Sequence, residues 1–243
     1  MAQFLISYQA DNEIRAANIN LQNEFGETAL HLAVRSGEVE MVHLLLRHGA
    51  NTNIQDKRGD AAIHVALGES GCPTVQLLLK YDANLHLQNH AGDMAIHIAS
   101  RIENISVLES LIQQGGDINA KDRHLNGMTA LHYAAQKSYA VMVRRLLLLV
   151  PEQNKRLRLL STQDRFGQTA LHSAAKRDTL KTFRVLFEAG ADLELCDRNG
   201  IKPIDYAADK ISRQSSLERQ LYLLGYRRIL QHQNGRMVSR FTK

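Results

Sequence analysis

Short apolar blocks recur along the chain with the spacing of an amphipathic helix. They occupy residues 42–46 (VHLLL), 75–79 (VQLLL), 108–112 (LESLI) and 183–187 (FRVLF). The apolar positions of each block fall three and four residues apart, on one face of a helix. A residue suited to end a helix follows each block: Gly49, Asp82, Gly115 and Gly190. The pattern predicts one short amphipathic helix per block.

A second pattern precedes these blocks with a nearly constant period. Six glycines, at positions 26, 59, 92, 127, 167 and 200, are separated by 33, 33, 35, 40 and 33 residues. A four-residue motif follows each glycine, with one residue between them. The copies are TALH at 28–31, AAIH at 61–64, MAIH at 94–97, TALH at 129–132, TALH at 169–172 and KPID at 202–205. The threonines are good N-caps for a helix. The period therefore predicts a stack of helix pairs, because one pair cannot bury its own apolar face.

These copies resemble ankyrin repeats over residues 17–210, with the family's T-P-L-H motif present mostly as T-A-L-H. The resemblance implies an all-α solenoid of helix-turn-helix units with projecting β-turn tips. It also implies that the motif histidines are structural and bond within the turn and to the neighbouring repeat. Partners of such proteins bind the turn tips and the concave face lined by the first helices.

The repeats suggest a division of the chain into four parts. Residues 1–22 would be an N-terminal cap or truncated repeat, 23–209 the five to six repeats, 210–230 a C-terminal capping helix, and 231–243 a basic mobile tail. The fourth copy carries an insertion near 150–163, which begins at Pro151 and includes the basic run 154–158. Insertions in repeat proteins usually form loops on one side of the stack. We expect an exposed basic loop here, either a tolerated insertion or a functional feature.

Charge divides the chain into two unlike halves. Residues 1–122 hold 8 Lys/Arg and 15 Asp/Glu, a net charge of −7, whereas residues 123–243 hold 22 and 10, a net charge of +12. The two distant cysteines do not make a disulfide framework, and no apolar run is long enough to span a membrane. We expect an intracellular, cytoplasmic protein away from membranes; delivery into a host cell as an effector is the alternative.

No catalytic, nucleotide-binding or zinc motif occurs in the sequence. The carboxylates Asp56, Asp122, Asp164 and Asp197 lie at repeat starts, where a turn needs an acceptor. We therefore expect no enzymatic activity, no catalytic residue, no metal site and no cofactor.

A candidate partner surface follows from placing the family's tip and first-helix positions on this chain. Phe25 and Phe166 take equivalent tip positions and are expected to be exposed anchors, unless each packs on a neighbouring tip. The candidates are Phe166, Arg165, Lys176, Arg177, Arg198, Lys210 and Lys137 in the basic half, and Phe25, Glu24 and Arg101 before it. Asp93 and Met128 are also expected at exposed tips. The basic strip predicts an acidic partner, and the competing interpretation is a solvated surface that keeps the protein soluble.

The leading functional hypothesis is a monomeric adaptor or scaffold that binds another protein. The first alternative is nucleic-acid binding through the basic half, which lacks the interleaved aromatic residues that stack on bases. The second is a targeting segment of a larger enzyme or of a microbial effector.

Overall fold

Most copies of the repeat form a first helix of seven residues and a second helix of nine. In chain order the helices are α1 Ala29–Arg35, α2 Val39–Arg47, α3 Ala62–Gly68, α4 Cys72–Lys80, α5 Ala95–Arg101, α6 Ile105–Gln113, α7 Ala130–Gln136, α8 Ala140–Leu148, α9 Gln153–Ser161, α10 Ala170–Lys176 and α11 Leu180–Glu188. Residues 203–206 are also helical. Within the described residues the only β pairing is an isolated bridge between Gln55 and Ala61. The predicted all-α class is confirmed.

The computed structural model describes residues 18–68, 72–123, 126–177 and 180–206. The chain divides into two compact units, Met1–Tyr133 and Ala134–Lys243. Most of the predicted N-terminal cap, the whole predicted capping helix at 210–230 and the predicted tail at 231–243 lie outside the described residues.

The first helices begin where the sequence motif places their caps. The Thr28 hydroxyl accepts a hydrogen bond from the His31 backbone, while His31 Nδ1 accepts one from the Thr28 N–H at 3.1 Å. This reciprocal arrangement satisfies two donors that an uncapped helix would leave without partners. Thr169 and His172 repeat it at the start of α10. Each cap therefore fixes both the start of a helix and the position of a buried histidine.

The core of the first unit lies between successive helix pairs. The first helices α1, α3 and α5 pack in sequence, and so do the second helices α2, α4 and α6. Alanines such as Ala33, Ala66 and Ala99 are buried on the first helices, where their small side chains allow close helix approach. Each second helix buries one face only; in α2 this face includes Val42 and Leu45. In the second unit α10 packs on α11, and α11 packs on α8.

Turn tips of adjacent repeats are joined by backbone hydrogen bonds. The Lys57 N–H donates to the Phe25 carbonyl at 3.0 Å, and the Arg198 N–H donates to the Phe166 carbonyl at 2.9 Å. The repeat-start carboxylates hold the turns from within, as Asp56 does by accepting the backbone N–H groups of Arg58 and Asp60. The predicted turn role of Asp122, Asp164 and Asp197 is confirmed by the same kind of bond.

The insertion in the fourth copy forms a helix, α9, so the expectation of a loop was wrong. Leu159 and Leu160 are 1% and 3% exposed and anchor it on the second unit. Pro151 lies just ahead of the helix, where its missing N–H breaks no helical hydrogen bond. The basic residues of the insertion therefore stand on an ordered helix. Among the described residues, no helix combines the length and apolarity needed to cross a bilayer.

Candidate functional site

Both tip phenylalanines are exposed, as expected. Phe25 is 60% exposed and Phe166 is 54% exposed. Each offers its carbonyl to the next tip and leaves its ring in solvent. Neither ring is buried against a neighbouring tip.

Two arginines belong to the tip of Phe166 and to the tip bonded to it. Arg165 is its chain neighbour, and Arg198 lies on the adjacent tip, with its Cγ atom 3.1 Å from a Cβ atom built on Gly167. Arg177 directly follows α10 and is exposed, and Lys137 directly follows α7 and is exposed. Lys210 lies outside the described residues. The structure thus places Arg165, Phe166 and Arg198 on two adjoining tips.

Lys176 is held over an aromatic ring at the end of α10. Its Nζ atom lies 4.4 Å from the centroid of the Tyr206 ring, and the Tyr206 hydroxyl donates to Asp197 at 2.6 Å. Burial, followed by the hydrogen bond to Asp197, raises the pKa of Tyr206 to about 12. Burial alone would raise the pKa of Asp197, but hydrogen bonds from Tyr206 and from the turn backbone hold it below its usual range. The carboxylate stays charged and orients the ring under the lysine.

Arg101 occupies the corresponding place in the first unit, but an internal partner holds its charge. It makes two hydrogen bonds to Asp93, at 3.0 and 2.6 Å, and its guanidinium lies 5.2 Å from the Tyr133 ring centroid. Burial would lower the pKa of Arg101, yet the bonds to Asp93 raise it above its ordinary value. Burial, with the charges of Asp122 and Asp93, raises the pKa of Tyr133 to about 12. Arg101 is a partly exposed member of a structural pair.

The residue just before the first-helix cap is buried in four of the copies, which corrects the expectation for Asp93 and Met128. Asp93 is 2% exposed and Met128 is 4% exposed, and Glu27 and Gln168 at the same position are nearly as buried. Asp93 turns inward because it pairs with Arg101, and Glu27 likewise pairs with Arg35 at the end of α1. In these copies the exposed part of the tip ends before the glycine, as it does at Phe166.

The tyrosines beneath Lys176 and Arg101 were missed by the sequence reasoning. Tyr133 and Tyr206 both follow the fourth motif position, and each receives a cation from the end of the preceding first helix. A cation at that helix end with a tyrosine one repeat later is a signal that could have been read from the sequence.

A groove in the first unit borders the other phenylalanine. It has a volume of 540 Å³ and is lined by Phe25, Glu27, Arg35, Asp56, Lys57 and Arg58. Arg58 pairs with Asp56 and Asp60, and Arg35 pairs with Glu27. Carboxylates of the same unit therefore balance the charge of both arginines in the groove. Glu24 is exposed beside Phe25.

The motif histidines use both ring nitrogens inside the fold. His97 Nδ1 accepts the Met94 N–H at 3.0 Å, and its Nε2 lies 2.9 Å from the Ala120 carbonyl of the next repeat. His31 and His172 make the same pair of bonds, with Nε2 at 3.1 Å from the Asp60 and Ile201 carbonyls. An acceptor at Nδ1 requires the neutral tautomer protonated on Nε2. The expected structural role of these histidines is confirmed.

Removing metal ions should leave the stability of the protein unchanged. Coordination requires a free ring nitrogen, and both nitrogens of His31, His97 and His172 are hydrogen-bonded. No cluster of three or more possible ligands occurs among the described residues. Thermal melts with and without EDTA should give the same midpoint, and a large drop with EDTA would contradict the structural role.

A protein-family model described as ankyrin repeats (3 copies) matches residues 1–89, 69–158 and 96–197. Human NF-kappa-B inhibitor zeta is 32% identical over 109 residues, which cover 43% of this chain and 14% of that protein. The chain therefore corresponds to a small part of this relative's length.

Two solved structures are similar over most of the chain. The ankyrin repeat domain of Bcl-3, described as a member of the IkappaB protein family, matches with a TM-score of 0.73 and 27% identity and covers 84% of this chain and 86% of its own. A chain from the complex of the Bd0816 predatory endopeptidase of Bdellovibrio bacteriovorus with immunity protein Bd3460 matches with a TM-score of 0.67 and 25% identity. It covers 80% of this chain and 96% of its own.

Proposed function

Because the chain belongs to the ankyrin-repeat family, we propose that it is a protein-binding adaptor or scaffold without catalytic activity of its own. We further propose that its partner is a protein with an acidic surface. The partner would contact the tips and first-helix ends of the second unit, through Arg165, Phe166, Lys176, Arg177, Arg198 and Lys137. Lys210 remains a candidate from sequence alone.

The exposed ring of Phe166, beside Arg165 in the chain and on a tip bonded to that of Arg198, carries this proposal. An exposed aromatic side chain supplies apolar area at small entropic cost, and interface anchors are enriched in such residues. These cations would raise the association rate with an acidic partner and select against basic ones. In the first unit, Phe25 lines a groove with Arg35 and Arg58, which pair with Glu27 and with Asp56.

The similar proteins support a protein partner. One of them is named as an inhibitor of NF-kappa-B, and another similar chain was solved in a complex of an endopeptidase with an immunity protein. A nucleic-acid partner is the alternative, and it would require binding of duplex or single-stranded probes that weakens steeply as salt rises.

Replacing Phe166 with alanine should weaken partner binding by about 2 kcal/mol, because an anchor ring loses its burial. Arg177→Glu should also weaken binding and should flatten its dependence on salt, because it removes a cation that faces the acidic partner. The partner is first identified by affinity capture and mass spectrometry, and its affinity is then measured by calorimetry at two salt concentrations.

Phe25→Ala is the matched control, because it removes an equally exposed ring from an equivalent tip. Melting curves of all three variants should coincide with that of the wild type. Wild-type affinity in Phe166→Ala and Arg177→Glu, with loss of binding in Phe25→Ala, would move the interface to the first unit.

A further inference from the structure

The outer face of α8 is unlike that of the other second helices. The last residue of each nine-residue second helix is exposed. It is polar or charged in α2, α4, α6 and α11, where it is Arg47, Lys80, Gln113 and Glu188, but in α8 it is Leu148. Leu148 is 63% exposed, and Val141, seven residues earlier on the same helix face, is 60% exposed. Two large aliphatic side chains thus face solvent on one helix, where a water-facing position normally carries a polar group.

The inserted helix α9 builds a groove beside this face. The groove has a volume of 280 Å³, and its apolar lining includes Leu147, Leu148 and Val185. Arg144 from α8 and Arg156 from α9 line it as well. Repeat stacking alone does not require α9, so the groove depends on the insertion in the fourth copy.

The groove carries an excess of positive charge. Neither Arg144 nor Arg156 has a carboxylate within ion-pair distance in the part of the chain that the structure describes. Glu188, the acidic residue of the lining, is bonded to Arg184 at 2.7 Å. The groove therefore offers two guanidinium groups, each suited to a bidentate bond with a carboxylate, beside the exposed side chain of Leu148.

We propose that the groove between α8, α9 and α11 is a second docking surface, which binds a short acidic segment of a protein that also carries apolar residues. Carboxylates of the segment would meet Arg144 and Arg156, and its apolar side chains would cover Leu148. The chain's own residues 207–243 do not fit this description, because they hold eight Lys/Arg and two Asp/Glu. The surface lacks exposed aromatic rings in its lining, which disfavours single-stranded nucleic acid. The proposal is independent of the tip surface around Phe166.

A selection from a random peptide library displayed on phage tests this proposal on the full chain. Peptides are enriched on the wild-type protein and depleted against the double variant R144E/R156E. The enriched sequences should combine Asp or Glu with Leu, Ile or Phe. Fluorescence anisotropy should then show that these peptides bind R144E/R156E about tenfold or more weakly than wild type.

Three further variants make the test specific. R47E/K80E makes the same change of charge at exposed ends of α2 and α4 and should bind the peptides like wild type. L148K places at the end of α8 the kind of residue found at the end of α2 and α4, so it should keep the wild-type melting curve and lose peptide affinity. F166A should bind the peptides normally, which separates this surface from the tip surface.

Enrichment of peptides without acidic residues would overturn the proposal, as would equal affinity for wild type, R144E/R156E and L148K. Binding of duplex DNA or phosphatidylserine vesicles that is lost in R144E/R156E, without any enriched peptide, would assign the groove to phosphate groups and would also overturn it.

Discussion

Replacing Gly59 with alanine should lower the free energy of unfolding by about 2–5 kcal/mol. Gly59 has a φ of 75°, and a Cβ atom built on it would lie 2.7 Å from the backbone nitrogen of His90. That nitrogen donates a hydrogen bond to the Arg58 carbonyl at 2.9 Å and joins two tips. The added methyl group would strain its own turn and push the neighbouring tip away. Urea denaturation followed by far-UV circular dichroism measures the loss.

Gly49→Ala is the matched control for this prediction. Gly49 has a φ of 85°, but nothing lies within 4 Å of a Cβ atom built on it. Its replacement should cost only the conformational strain, about 1–2 kcal/mol. In the second unit, Gly167→Ala should behave like Gly59→Ala, because its Cβ would lie 2.8 Å from the Arg198 nitrogen. Equal losses for Gly49→Ala and Gly59→Ala would show that the tip contact contributes nothing.

The parts of the fold that follow from local chemistry were predictable from the sequence. A threonine followed three residues later by a histidine marks a helix start, and Thr28 and Thr169 form the expected caps. Asp82 stands where other repeats have a helix-ending glycine, and it has the positive φ of 55° that this role requires. Exposure of Phe25 and Phe166 followed from their equivalent places in the period.

The parts that depend on tertiary packing were not predictable in the same way. Arg101 and Asp93 are eight residues apart across a turn and a helix, so no helical spacing rule pairs them. The insertion is expected to be a loop because insertions in repeat proteins usually are, whereas its helix depends on the burial of Leu159 and Leu160. Leu148 lies in an apolar run of the sequence, and its exposure depends on where α8 ends and which face of that helix is packed.

Acidification from pH 7.5 to 5.5 should destabilise the protein through its buried histidines. Burial, the largest cause, lowers the pKa of His31, His64, His97 and His172. The hydrogen bond from Nε2 to a carbonyl of the next repeat raises the pKa of His31, His97 and His172, but burial outweighs it. A proton on Nδ1 would in addition point at the N–H that this nitrogen now accepts. The folded chain therefore resists protonation at these sites, whereas the unfolded chain takes up protons near the ordinary histidine pKa of about 6.5.

The sign of the effect follows from the excess of protons on the unfolded chain. The histidines' contribution to the free energy of unfolding is fully present above their pKa in the unfolded chain. It is lost as pH falls below that value toward their lower pKa in the folded chain. Each extra proton on the unfolded chain costs about 1.4 kcal/mol per pH unit. Glu27, Asp56 and Asp197 also have lowered pKa values, but their contribution is lost only as pH falls below their ordinary values of 4.5 and 3.8. The histidines therefore determine the slope between pH 7.5 and 5.5.

His97→Gln should reduce both the stability at pH 7.5 and the slope of stability against pH. The glutamine cannot reproduce both bonds of a side chain that is 0% exposed, so the loss at pH 7.5 should be about 1–3 kcal/mol. The slope should become shallower, because one group that binds a proton only in the unfolded chain has been removed. His48→Gln makes the same substitution at an exposed residue after α2 and should cost little at pH 7.5. Urea denaturation at pH 7.5, 6.5 and 5.5 measures both quantities for each protein. A free energy of unfolding that stays level or rises on acidification would contradict the neutral, doubly bonded state of these histidines.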